Sequence, residues 1–219
     1  LLASSAASDV YKRQIYMSTF QKISKDLKNR LDKKRYTHTL SVADTAACMA
    51  MRFDEDPYRA YLAGLLHDNA KCIEDKKKLA LCGKYKLEIN TAEQKNPDLL
   101  HAKLGSFLAK ERYQVEDPEI LSSILYHTTG KPAMTTLEQI IYIADYIEIN
   151  RKKLPGMEVT RKLAFTDLDA CMLHILESTL AFLEKKGAAI DQITMETYTY
   201  YKERVQHDNE AQKGDTHDE

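Results

Sequence analysis

Two carboxylates stand where a water-soluble helix rarely places them. Asp68 closes the apolar run AGLLHD at 63–68, and Asp145 interrupts IIYIADYI at 140–147. A buried, uncompensated carboxylate costs several kcal/mol, so both must be paired or metal-bound, and the fold must deliver the partners. Suitable partners recur along the chain: His38, His67, His101 and His127, each in a segment that reads as helix. The intervals of 29, 33, 26 and 18 residues that separate His38, His67-Asp68, His101, His127 and Asp145 each match a helix plus its connection. A helical bundle can therefore aim all six side chains into one interior site.

The rest of the chain agrees with an all-α fold. There are 7 Gly, 5 Pro and no long Val/Ile/Thr alternation, against abundant Leu, Ala, Lys, Glu and Tyr. Apolar residues at three- and four-residue steps predict helices over 19–31, 36–52 and 57–71, the last carrying His67-Asp68. Residues 74–96 are lysine-rich and read as a short helix followed by a surface loop bordering the site. Pro97 and Pro118 open two further helices, the second ending at His127 with Gly130 as its stop. Helices over 136–149, 165–186 and 194–204 complete the bundle, with Gly187 ending the long one.

At 219 residues the chain fits one domain, expected over 17–205. Residues 1–16 begin LLASSAASDVYKRQ, lack the apolar centre of a secretion signal and read as a non-native or disordered extension. Residues 206–219 read as a disordered polar tail whose His207-Asp208 pair is unrelated to the site. Lys+Arg 32 against Asp+Glu 33 leaves a net charge of -1, so no global field favours nucleic acid or an anionic membrane. No run approaches the ~20 apolar residues of a membrane span. Cys48, Cys72, Cys82 and Cys171 form no CxxC pair, which fits a reducing cytoplasm. Neither GxxxxGK[ST] nor GxGxxG occurs, and a phosphate-binding glycine loop is excluded.

The chemistry narrows further at His67-Asp68. Neighbours on a helix point ~100° apart, so both can face one site only near a helix end. A carboxylate has two oxygens, and Asp68 can bridge two metal ions while His67 binds one. Mixed imidazole and carboxylate donors favour Fe, Mn, Zn, Ni or Co over Mg or Ca, and without a cysteine ligand a structural zinc site is disfavoured. A water bridging such a pair becomes hydroxide near neutral pH and can attack phosphorus in line. Lys71, on the face of His67 and Asp68, and Arg151 are the candidate catalytic cations.

These residues resemble the HD-domain phosphohydrolases: a distant histidine, an adjacent His-Asp pair and a later aspartate, here His38, His67-Asp68 and Asp145. The resemblance spans about residues 18–204. AGLLHDNAK at 63–71, PDLLHAKLG at 97–105, HTTGKPAM at 127–134, YIADYIEINR at 142–151 and PGMEVTRKLA at 155–164 resemble the YqeK-type branch. That branch comprises symmetrical bis(5′-nucleosyl)-tetraphosphatases, which split diadenosine tetraphosphate into two ADP at a di-iron centre.

The resemblance implies that His38, His67, Asp68 and Asp145 hold one iron, and that Asp68, His101 and His127 hold the other. It implies contacts from Lys71, Thr128 and Arg151 to the phosphates, with the ligands His38, His101, His127 and Asp145 lining the substrate site. The implied partners are a dinucleoside polyphosphate and ADP; nucleic acid and membrane are not expected, and a homodimer is allowed. Two alternatives stay open: an HD phosphohydrolase acting on another nucleotide, or a metal-containing nucleotide-binding regulator without significant turnover. Thr128 also reads as an ordinary helix-end residue, and Arg151 as a salt-bridge partner of Glu148 or Glu158. Tyr58, Tyr61, Tyr85, Tyr126 and Tyr146 suit core or rim packing better than base stacking.

Overall fold

The computed structural model describes residues 2–215, with side chains described at 16–207 and at residue 210. Among the described residues there is no strand. The helices are α1 (Leu2–Arg30), α2 (Lys33–Arg52), α3 (Pro57–Leu66), α4 (Asp75–Lys84), α5 (Thr91–Lys95), α6 (Leu100–Tyr113), α7 (Pro118–Tyr126), α8 (Thr136–Ile147), α9 (Met157–Leu163), α10 (Leu168–Lys186) and α11 (Gln192–Asp215). A 3-10 turn, Pro97–Leu99, leads into α6.

Side-chain caps fix where several helices begin. Asp32 accepts from Arg35 N at the start of α2. Asp56 and Asp117 accept the first amides of α3 and α7, each with proline in the first turn. Thr135 and Glu138 form a reciprocal capping box on α8, and Asp167 caps α10. Each such cap stabilises by ~0.5–2 kcal/mol. The Asp-Pro pairs thus set the direction of two helices that end at site histidines.

The main core lies where α2, α3 and α8 meet. Val42, Ala43, Ala46, Met49 and Ala50 of α2 pack with Ala60, Ala63, Leu65 and Leu66 of α3. Every side chain of α8 from Leu137 to Ala144 is buried, which makes it the central helix. Small residues bring α2 and α3 together: a Cβ added at Gly64 would lie 2.8 Å from Ala43 Cα. A second, smaller core of Ala70, Cys82, Leu100, Leu104 and Leu108 joins α4 to α6.

Several boundaries differ from the sequence pattern. The helix expected over 57–71 stops at Leu66, because residues 67–71 form successive turns, among them Lys71 N to Asp68 O at 2.9 Å. Residues 74–96 form two helices rather than one helix and a loop; Asn90 and Glu93 build a capping box that starts α5. α9 was not expected at all: its N-cap is Gly156 at φ 78, and its seven residues are too few to display a period. α8 ends at Ile147 rather than 149, and α10 starts at Leu168 because Asp167 caps it. α2 begins at Lys33 rather than 36, and the 19–31 pattern is the C-terminal part of α1. α11 spans Gln192–Asp215 rather than 194–204. Residue 1 and residues 216–219 of the expected terminal segments lie outside the described residues. The four cysteines are free, Cys82 and Cys171 buried, Cys48 and Cys72 exposed. No described helix is long and apolar enough to cross a membrane.

The Gly64 contact is measurable. Gly64→Val should lower the unfolding free energy by ~1–3 kcal/mol in urea melts. Gly83→Ala, where an added Cβ meets nothing within 4 Å, should be neutral or stabilising by up to ~1 kcal/mol.

Candidate metal centre

Helix ends, not helix middles, present most of the site. His67 and His127 are the C-cap residues of α3 and α7, and His101 lies in the first turn of α6. His38 projects from α2 and Asp145 from the last turns of α8. Asp68 follows His67 in the turn that ends α3, where Asn69 N donates to Leu66 O at 3.1 Å. Asn69 secures that turn by donating to Leu66 O at 2.7 Å and to Gly105 O of α6 at 2.9 Å.

Three of the four imidazoles are oriented by the same device. His67 Nδ1 donates to Gly64 O at 2.6 Å, His127 Nδ1 to Ile124 O at 2.7 Å, and His101 Nδ1 to Asp98 O. A carbonyl can only accept, so Nδ1 carries the proton in each ring and Nε2 presents a lone pair. His38 Nδ1 donates to the buried carboxylate of Glu148 at 3.1 Å, with the same result.

All four Nε2 atoms converge on Asp68. Its Oδ2 lies 3.3 Å from His67 Nε2 and 3.7 Å from His38 Nε2. Its Oδ1 lies 3.2 Å from His101 Nε2 and 3.7 Å from His127 Nε2. Asp145 Oδ1 joins the first pair, 2.9 Å from His38 Nε2 and 3.8 Å from His67 Nε2. The sequence-expected six residues therefore occupy one site, divided in two by the oxygens of Asp68.

The donor set calls for cations. His38 Nε2 and His67 Nε2 are buried without a hydrogen-bond partner, the short approach of His38 to Asp145 being out of line. His101 Nε2 and His127 Nε2 face each other at 3.1 Å, two lone pairs that repel unless a positive centre lies between them. Ligand atoms of His38, His67 and Asp145, and of His67, Asp68 and His127, cluster within 4.8 Å of one another. Neutral imidazole and carboxylate in such groups suit transition-metal ions.

Electrostatics point the same way. Burial would raise the pKa of Asp68, but His67, His101 and His127 hold its carboxyl well below the usual range. Burial is likewise outweighed at Asp145 by the neighbouring His38 and His67 rings and the Arg151 guanidinium. Burial keeps His101 below its ordinary value and thus neutral. At His38 burial is overcome by Asp145 and Glu148, which push it up; surroundings that favour a proton there favour a metal cation too.

The expected cations also lie at the site. Lys71 Nζ sits 2.6 Å from Asp98 Oδ2 and 3.5 Å from His101 Nδ1. Arg151 Nη1 lies 3.5 Å from Asp145 Oδ1, so its carboxylate partner is neither Glu148 nor Glu158. Glu148 instead spends its oxygens on His38 and on Asn150 N. A cleft of about 630 Å3 opens beside the centre, lined by His127, Thr128, Asp145 and Arg151 and by the apolar faces of Tyr146 and Phe182. The other tyrosines pack: Tyr58 against Tyr16, Tyr61 against Phe20, Tyr85 against Phe107, and Tyr126 under the Lys131 ammonium.

Arg35 was not singled out by the sequence pattern, and Glu148 was weighed there only as a partner of Arg151. Arg35 Nη1 donates to Asp68 Oδ2 at 2.6 Å, with the side chain 29% exposed at the rim. It lies one helical turn before His38, and that i, i+3 spacing was the available signal. Glu148 stands three residues after Asp145 at the end of α8, and Arg161 of α9 holds that end by donating to Ile147 O and Glu148 O, both at 3.1 Å.

Saturation with a divalent transition metal should give two ions per chain by metal analysis, and Asp68→Ala should retain neither. Two ions kept in that variant would overturn the shared carboxylate. Glu148→Gln, which weakens the hold on the His38 ring, should lower metal affinity by ~10- to 100-fold.

Comparison with known proteins gives a consistent family. The HD-domain profile matches residues 35–150. The chain is 38% identical over 174 residues to a symmetrical bis(5′-nucleosyl)-tetraphosphatase of Bacillus subtilis, covering 80% of this chain and 92% of that one. It is 34% identical over 193 residues to a protein of the same name from Staphylococcus aureus, covering 86% and 98%. A crystal structure from Clostridium acetobutylicum, described as a predicted HD superfamily hydrolase involved in NAD metabolism, superposes with a TM-score of 0.82 at 39% identity, covering 84% and 97%.

Proposed function

We infer the reaction from one premise: the chain belongs to the HD-domain family and, within it, groups with the symmetrical bis(5′-nucleosyl)-tetraphosphatases. It is a metal-dependent phosphohydrolase, and the reaction is hydrolysis of diadenosine tetraphosphate to two ADP. The observation that carries this reading is the division of Asp68 between two pairs of imidazole nitrogens at the edge of a cleft of nucleotide size.

In this reading His38, His67, Asp68 and Asp145 hold one ion, and Asp68, His101 and His127 the other. Iron is the proposed metal, with Mn, Co, Ni and Zn fitting the same donors. Two such ions supply hydroxide from water near neutral pH and screen the charge that develops on phosphorus. The chain supplies the rest. The hydroxyl of Thr128 and the Arg151 guanidinium bind phosphate oxygens beside the centre. Lys71, beside His101, and Arg35, on Asp68, bring positive charge to the transition state. Tyr146 and Phe182 form the apolar wall for an adenosine.

Position determines which bond breaks. With one adenosine in the cleft and its second phosphorus at the centre, the central anhydride is cleaved and both products are ADP. The cation supply is local: the chain as a whole carries a net charge of -1, so long polyanions gain nothing from the rest of the surface. A second reading, the same centre acting on another nucleotide, is favoured by the NAD-metabolism description of the similar crystal structure.

Anion-exchange separation of products from metal-loaded protein and diadenosine tetraphosphate tests both. ADP alone, absent with Asp68→Ala, is the expected result. ATP plus AMP would overturn the symmetrical grip, and turnover of a different nucleotide alone would favour the second reading. Lys71→Ala should keep its metal and lose ~10²-fold in rate, as for one electrostatic donor.

A further inference from the structure

The mechanism so far leaves unused a charged cluster between α4 and the start of α6. Lys78 of α4 is 1% exposed, a placement an ammonium tolerates only when paired. Its Nζ lies 3.0 Å from Asp75 Oδ1 and 3.2 Å from Asp98 Oδ1. The other oxygen of Asp98 accepts from Lys71 Nζ at 2.6 Å, and the backbone carbonyl of the same residue accepts from His101 Nδ1. Three acceptor atoms of Asp98 thus meet a buried lysine, a cation of the site and a ring of the metal centre.

We propose that Lys78 and Asp98 are positioning residues for the reaction: Lys78 anchors the Asp98 carboxylate, and that carboxylate sets the Lys71 ammonium at the edge of the centre. The inference rests on the phosphohydrolase reading of the site. Geometry favours it over simple neutralisation of Lys71, because a carboxylate that served Lys71 alone would need no second ammonium. Sharing Asp98 between two lysines leaves Lys71 only partly neutralised, and its remaining charge faces the phosphate chain. Burial supplies the rigidity. Lys78 is buried while Asp75 and Asp98 are about half exposed, so its ammonium gives the Asp98 carboxylate a fixed anchor on the protein side. α4 and the segment around it would then act on the chemistry without touching the substrate.

A double-mutant cycle separates this from a structural role. Lys78→Met keeps the volume and removes the charge; helix content and metal count should stay as in the wild type, while kcat falls ~10-fold. In a Lys71→Ala background the same substitution should change kcat by less than ~2-fold, because the cation it positions is gone. An equal factor in both backgrounds, or none in either, would overturn the proposal. Asp98→Asn should show the same dependence on Lys71, and if it fails to fold Lys78→Met decides alone. The cycle is also read by calorimetric binding of ADP to the metal-loaded protein, where the same non-additivity is expected. Coupling seen with ADP when diadenosine tetraphosphate is not cleaved would sink the substrate reading and uphold this one, whereas cleavage without coupling would do the reverse.

Discussion

A buried carboxylate ringed by four imidazole nitrogens is the constraint around which the bundle is arranged. Asp68 is 2% exposed, and nothing in the core could compensate it except groups brought from elsewhere in the chain. α2, α3, α6 and α7 each contribute one ring, and α8 adds the second carboxylate. Each contribution needs its helix to end or cross at the right depth. That explains the caps at Asp56 and Asp117 and the bare Gly64, which lets α2 and α3 approach closely enough for His38 and His67 to share Asp68.

Much of this was legible in the chain because burial and polarity conflict so openly in AGLLHD and YIADYI. Fold class followed from the three- and four-residue period, and the four histidines that meet Asp68 followed from asking what could compensate two carboxylates. Less was readable where signals are short or relational. The end of α3 was placed too late because Ala70 and Lys71 prolong the helical pattern past His67-Asp68-Asn69, where the chain already turns. α9 has only seven residues, too few to show an amphipathic period, yet its Arg161 fixes the end of α8. Arg35, and the hold of Glu148 on His38, escaped notice because a charged residue on a helix end is ordinary until its neighbour's burial is known.

Charge in this protein is arranged by distance rather than by sum. The chain is nearly neutral, yet Arg35 and Arg151 stand against the carboxylates of the centre and Lys71 beside its His101 ring. A short polyphosphate meets several cations at once, while a long polyanion would meet an even mixture of signs. The apolar faces of Tyr146 and Phe182 beside these charges give the cleft two characters, as a nucleotide itself has.

The way the histidines are held has a consequence for inheritance. In His67, His101 and His127 the backbone carbonyl three residues earlier dictates which nitrogen faces inward. No side chain encodes that choice, so no single substitution at a neighbouring position can delete the acceptor. Residues 64, 98 and 124 are free to change, by this criterion alone, without altering the tautomer of any of the three rings. The most exacting feature of the centre is thereby written in the part of the polypeptide that mutation does not reach.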